Sequence, residues 1–150
     1  MSPTGTTYEP LRHSFLAPLF ADATVVDAMR VGLVSCPGDT SLKEVARMMA
    51  TYRIHSVLIT DMEGHRPWGI VSDLELATNA GADLEKMTAR DVASTDVVTV
   101  AADDRLSVAT RLMAEHLASH LVVIQPHSGH PVGVVSTLDV AGVLAWGGTA

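Results

Sequence analysis

Apolar and polar positions along this chain follow one order, and they follow it twice. Residues 33–36 form a short β-rich stretch. Asp39, Thr40 or Ser41 can then cap a helix, with Glu44 in its first turn. Leu42, Val45, Met48, Met49 and Tyr52 recur at helical spacing. An apolar run at 57–60, a polar turn at 61–67 and a second run at 68–72 predict two strands, and a closing helix starts at Asp73 and ends near Asn79, Ala80 and Gly81. The second half offers a strand at 97–100, a helical stripe of Leu106, Ala109, Leu112, Met113 and Leu117, strands at 121–125 and 132–136 about a polar turn, and a helix from Thr137. The runs are continuous rather than alternating, so the strands should be covered on both faces. Residues 86–94 join the halves.

The repetition extends to residue identity. Residues 33–77 slid by 64 positions fall on 97–141 without a gap, with 12 identities in 45 positions. Gly69-Ile70-Val71-Ser72-Asp73-Leu74-Glu75 against Gly133-Val134-Val135-Ser136-Thr137-Leu138-Asp139 is the clearest echo. An internal period decides the fold before anything else. The fold class is α/β (α+β): two tandem β-α-β-β-α copies, each too small to hide its apolar face, packed with pseudo-two-fold symmetry about one shared core. Residues 1–22 read as an N-terminal arm, 23–82 as the first copy and 83–150 as the second. Within the arm, Leu11, Phe15, Leu16, Leu19 and Phe20 suit a short amphipathic segment that docks on the body or engages a partner.

Composition narrows the function. Apolar residues make up 47% and charged residues 18%, which suits a folded core, and only two each of Phe, Tyr and Trp leave that core to aliphatic side chains and Met. A net charge of −7 without a basic run disfavours nonspecific nucleic-acid binding. The single cysteine, Cys36, has no intramolecular disulfide partner and suits a reduced, cytoplasmic setting. Neither a secretory signal nor an apolar run long enough to span a bilayer is expected. His116 and His120 stand at the i, i+4 spacing of a zinc pair, but the repeat puts His120 beyond the helix, so no metal site is expected. No nucleophile elbow is present. Cys36 suits a small wall residue better than a nucleophile, and the stripe Met48, Met49 and Met113 suits core or dimer packing better than an adaptable binding surface.

Tandem β-α-β-β-α copies closing on Gly-apolar-apolar-Ser-x-x-Asp resemble the CBS domain, the cystathionine β-synthase type module. Val25-Val26-Asp27-Ala28-Met29 and Arg90-Asp91-Val92 resemble its lead-in. Tyr52 to Ile59 and Ala118 to Ile124 resemble its helix-to-strand junction. The resemblance covers residues 24–145 and implies a stand-alone tandem pair, often called a Bateman module, with two clefts between the copies. Such clefts commonly hold AMP, ADP, ATP or S-adenosylmethionine.

In the first cleft the resemblance implies a ribose carboxylate at Asp139, with Val134 and Ser136 beside it. It also implies a base-binding wall of Ser35, Cys36, Pro37, Ile54, His55 and Ser56. In the second it implies Ser72, Thr99, Val100, Ala101, Ser119 and His120, with Glu75 where Asp is expected; the extra methylene pushes the carboxylate out of ribose geometry and weakens that cleft. The physical warrant at Ser136 and Asp139 is separate. A helix start offers free N–H groups and dipole to a phosphate, a short carboxylate can accept from vicinal hydroxyls, and Gly permits close approach to a ligand. The same residues also suit a plain helix cap. The expected function is regulatory sensing of an adenosine compound without turnover and without a required cofactor, by a homodimer free of membrane and nucleic acid. The alternative is a ligandless dimerisation or interaction module acting on a partner enzyme or transporter.

Overall fold

Ser41 is the residue that starts the first long helix: its Oγ accepts from the Glu44 N–H at 3.1 Å. The protein is described by a computed structural model over residues 18–29, 33–61 and 66–147, so most of the expected N-terminal arm and part of the 61–67 turn lie outside the described residues. In chain order the elements are α1 Val25–Ala28, β1 Ser35–Pro37, α2 Leu42–Tyr52, β2 Ser56–Thr60, β3 Pro67–Ser72, α3 Asp73–Thr78, α4 Ala89–Val92, β4 Thr99–Ala101, α5 Leu106–His116, β5 His120–Ile124, β6 Pro131–Ser136 and α6 Thr137–Trp146. A 3-10 turn, Phe20–Asp22, precedes them. The first strand of each copy begins two residues later than the apolar pattern suggests.

Each copy builds a three-stranded sheet with its middle strand parallel to the first and antiparallel to the third, β1-β2-β3 and β4-β5-β6. Burial is continuous along the middle strands but alternates along β3 and β6, so only β2 and β5 are covered on both faces. The main helices bury the same three repeat positions, Leu42, Val45 and Met49 in α2 and Leu106, Ala109 and Met113 in α5. The last members of the expected stripes do not join them. Tyr52 is 59% exposed, and Leu117 is 93% exposed in a left-handed C-cap with φ 52°. Arg53 takes the same conformation, φ 54°, at the equivalent position. Each copy thus turns sharply out of its helix, at about 1–2 kcal/mol for a residue other than Gly.

The expectation of one shared core is corrected. Buried residues form two clusters, one around Leu42, Val57, Ile59 and Val71, the other around Leu106, Leu121, Val123 and Val135. What joins the copies is an exchange of lead-in segments. Ala23 and Val25, which precede the first repeat at 33–77, are fully buried in the second copy's cluster, and Ala89, which precedes the second repeat at 97–141, is fully buried in the first copy's. The backbone pairing repeats the exchange. Val25 N–H donates to Asp104 C=O, Val26 to Ala102 and Leu106 to Ala23; their counterparts are Ala89 to Thr40, Arg90 to Gly38 and Leu42 to Met87, all at 2.8–3.1 Å. Bridges Thr24–Arg105 and Ser41–Thr88 complete the set. At the α5 N-cap, where the first copy has Ser41, Arg105 instead donates from Nη1 to Ala21 C=O at 2.9 Å.

Leu58 and Val122 are buried yet belong to neither cluster. By strand alternation they share a face with Ser56 and His120, the face each sheet turns toward the other copy.

The exchange has a local signature. Val25→Ala should cost roughly 1–3 kcal/mol, in the range of buried aliphatic truncations. Hydrogen exchange should accelerate first in β5 of the second copy rather than in β2 of the first, although residue 25 precedes the first repeat in sequence. Faster exchange in β2 alone would contradict the swap.

Candidate functional site

Each closing motif ends a strand and starts a helix through a capping box. In the second copy Ser136 N–H donates to Asp139 Oδ2 at 2.8 Å, and Asp139 N–H donates back to Ser136 Oγ at 3.2 Å. In the first, Glu75 Oε1 accepts from both the N–H and the hydroxyl of Ser72, at 2.6 Å each. Both carboxylates sit at a helix start, where the dipole favours negative charge. The longer Glu75 side chain curls back onto its own cap and takes two bonds where Asp139 takes one from Ser136.

The two copies enclose a cleft of about 60 Å³ lined by Leu33, Val34, Ile54, His55 and Ser56 from the first copy and by His120, Val134, Ser136 and Asp139 from the second. Of the nine residues implied for the first cleft, this brings together Ile54, His55, Ser56, Val134, Ser136 and Asp139. Ser35, Cys36 and Pro37 do not line it. The first strand enters through Leu33 and Val34, and Cys36 points into the first copy's core.

The residues implied for the second cleft occupy several elements. Ser72 and Glu75 cap α3, Thr99 and Ala101 flank Val100 on β4, and Val100 is buried in the second copy's core. Ser119 C=O accepts from Thr137 N–H, tying the junction to the start of α6. His120 lines the first cleft, and Asp73 and Glu75 of the first copy also act on it. Its strand position faces the other copy, a direction that a translational repeat cannot reveal. Gly69 also serves a different neighbour. A Cβ there would meet Ser94 C=O at 3.0 Å and Ala93 Cβ at 3.1 Å, so the glycine admits the lead-in segment.

Two features of the cleft were not anticipated. His55 Nδ1 lies 2.9 Å from Asp73 Oδ2, and Asp73 N–H donates to His55 C=O, so Asp73 is engaged at the junction. His120 Nδ1 lies 2.9 Å from Ser119 Oγ. Burial pushes the His120 imidazole below its ordinary range; Asp73, Asp139 and Glu75 oppose that shift, while His55 adds to it. Burial raises the Cys36 thiol, with a hydrogen bond from Thr40 opposing and Asp39 reinforcing, so Cys36 stays a protonated core thiol and a poor nucleophile. His116 ends α5 and His120 starts β5, with Leu117 between them in the left-handed region, so they share no helix face. Among the described residues no group of three or more His, Cys, Asp or Glu is placed to hold a metal ion, and no helix is long and apolar enough to cross a membrane.

The family profile described as CBS domain matches residues 22–80 and 89–145, most of the chain and both copies. The chain belongs to the CBS-domain family. Among solved structures, the CBS fold here is similar to a CBS domain protein of Pyrobaculum aerophilum complexed with AMP. That protein is 28% identical, with a TM-score of 0.70, over 77% of this chain and 88% of the other. It is also similar in fold to the CBS domain pair of protein MJ0100 in complex with 5′-methylthioadenosine and S-adenosylmethionine, 20% identical with a TM-score of 0.73, over 82% of this chain and 96% of the other. By sequence it is 29% identical to a homoserine O-acetyltransferase of Methanocorpusculum labreanum and 29% identical to an uncharacterized protein of Methanopyrus kandleri. The matches cover 87% and 75% of this chain, but it spans only 26% and 58% of those relatives' lengths.

The His120 environment sets a pH window for stability. The unfolded imidazole titrates near 6.5 and the folded one lower, so its contribution is fully present above 6.5 and is lost as pH falls from there through the folded value. His120→Gln should remove that part of the decline in Tm on acidification, read by thermal melts across the window. An unchanged acid slope would show that His120 does not titrate on unfolding.

Proposed function

We propose that this CBS pair is a regulatory sensor that reversibly binds an adenosine compound in the cleft between its copies, without turnover. The observation that carries this reading is the Ser136–Asp139 capping box facing Ile54, His55 and Ser56 across that cleft. Asp139 accepts from the Ser136 N–H at the start of α6, where a short carboxylate suits vicinal ribose hydroxyls. Ser136 and the α6 N-terminus favour a phosphate. Leu33, Val34, Ile54 and Val134 supply apolar surface for a base. AMP in the P. aerophilum protein, and S-adenosylmethionine and 5′-methylthioadenosine in the MJ0100 pair, support the adenosine class.

At about 60 Å³ the cleft is well below the roughly 300–1,000 Å³ of small-molecule sites. An adenosine must therefore part the copies to enter. That opening is the signal, because a ligand shifts an equilibrium only by binding one arrangement better than another. Glu75, drawn onto its own cap, makes the pseudo-symmetric cleft the weaker one.

The pair works as a homodimer. A groove of about 450 Å³ runs between α5 and α6, lined by Phe20, Met113, Ala114, Ala118, Val140 and Leu144 among others. Leu144 is 62% and Leu138 58% exposed on α6, and Leu74 is 65% exposed at the equivalent position on α3. A second copy covering these faces removes a large apolar surface from water. The same faces serve the competing reading, a ligandless interaction module.

Two measurements decide these points. Calorimetry with AMP, ADP, ATP and S-adenosylmethionine should find at least one ligand. Asp139→Ala should then weaken it roughly ten- to a hundredfold, the loss of about 1.5–3 kcal/mol in hydrogen bonds to a charged group, while Glu75→Ala leaves that site nearly unchanged. Silence from all four ligands favours the interaction module, and equal losses refute the special role of Asp139. Separately, light scattering should show twice the monomer mass, and Leu144→Lys should shift it to the monomer; a monomeric parent chain at high concentration would refute the dimer.

A further inference from the structure

Two imidazoles from opposite copies line the cleft beside Asp139. Asp73 decides what His55 can offer. A carboxylate only accepts, so His55 Nδ1, 2.9 Å from Asp73 Oδ2, carries the proton. Nε2 of the neutral ring is then a lone pair, which repels phosphate oxygens; a second proton turns it into a charged donor. His120 Nδ1 is likewise engaged, with Ser119 Oγ, which leaves Nε2 as its outward group.

The charges acting on His120 come from every side: Asp73 and Glu75 at the start of α3, His55 at the first copy's junction and Asp139 on α6. The flanking strands β4 and β6 add none, since Thr99–Ala101 and Pro131–Ser136 contain no titratable side chain. No Lys or Arg is among the described residues lining the cleft. Three carboxylates therefore act on His120, and burial favours its neutral form. These carboxylates repel a phosphate dianion while His120 is neutral, whereas an uncharged nucleoside meets no such penalty.

We propose that this cleft recognises the phosphate of an adenosine ligand through proton uptake on His120, so that pH sets its preference between a nucleotide and an uncharged nucleoside. The proposal rests on the reading of the cleft as an adenosine site. The proton comes from solvent, sits on Nε2 and is shared with a phosphate oxygen; no covalent bond changes. Binding raises the imidazole pKa, so nucleotide affinity rises as pH falls toward the value in the free protein.

The test titrates the full chain with AMP and with adenosine between about pH 8 and 7, where a phosphate monoester, whose second pKa is near 6, stays largely dianionic. AMP affinity should rise toward tenfold per pH unit for each proton taken up, while adenosine affinity stays flat. Calorimetry of the unaltered protein in two buffers of different ionisation enthalpy should show proton uptake with AMP alone, a readout that needs no variant. His120→Gln should abolish the AMP slope. AMP binding without pH dependence, without proton uptake, or with a slope that survives the His120→Gln substitution overturns this proposal and leaves the adenosine site standing. Silence from AMP overturns this proposal, and the adenosine reading falls with it only if ADP, ATP and S-adenosylmethionine are silent as well.

Discussion

The reciprocal exchange of lead-in segments is the constraint on which the rest of this structure depends. Val25 and Ala89 are fully buried, each in the core of the repeat it does not precede. Three backbone hydrogen bonds and one bridge secure each exchange at equivalent positions. Neither copy's cluster is complete without a segment that enters from the far side of the chain. Covalent continuity and core packing therefore run in opposite senses, and the copies cannot separate widely without uncovering buried apolar surface. That tie keeps the junctions at Ile54–Ser56 and Ala118–His120 close enough to enclose a cleft while leaving the sheets to pack separately.

Within that frame, chemistry collects where strand becomes helix. The capping boxes fix both closing helices and place a carboxylate at each N-terminus, where the dipole already favours negative charge. The left-handed C-caps at Arg53 and Leu117 turn the chain sharply from helix to junction. Without those turns the imidazoles of His55 and His120 would have no path to the same cleft. The strain they store is modest beside the burial of Leu42 or Leu106 in the same copies, which explains how residues other than Gly are tolerated there.

Much of this was legible in the sequence because repetition and periodicity are local properties. The order of elements, the buried helix positions and the Ser136–Asp139 motif all follow from spacing. The choice of partner does not. Val25 and Ala89 read as apolar lead-ins, but an apolar residue carries no mark of which cluster receives it, so one shared core was inferred where two exist. Tyr52 and Leu117 fit a helical period, yet the helix ends before that period can bury them. Cys36 sits on the strand expected at the cleft, but its side chain enters the first copy's core, and the chain reaches the cleft wall earlier, at Leu33 and Val34. His120 aligns with Ser56 in the repeat, and no alignment states that both face the same gap.

The exchange also bears on where such a chain comes from. If one copy gives its lead-in to the other and receives the other's in return, the contact is isologous, the pattern required between two identical subunits. A single repeat on its own would have an unfilled slot and an unhoused lead-in, and only pairing with a second repeat would satisfy both. Joining the repeats end to end turns that obligate pairing into one polypeptide without altering a contact. The offset of 64 residues between 33–77 and 97–141 is the spacing at which the chain repeats its half of that contact. The differences between Asp139 and Glu75, and between His120 and Ser56, are what fusion permits: two sites once bound by symmetry to be identical became free to diverge.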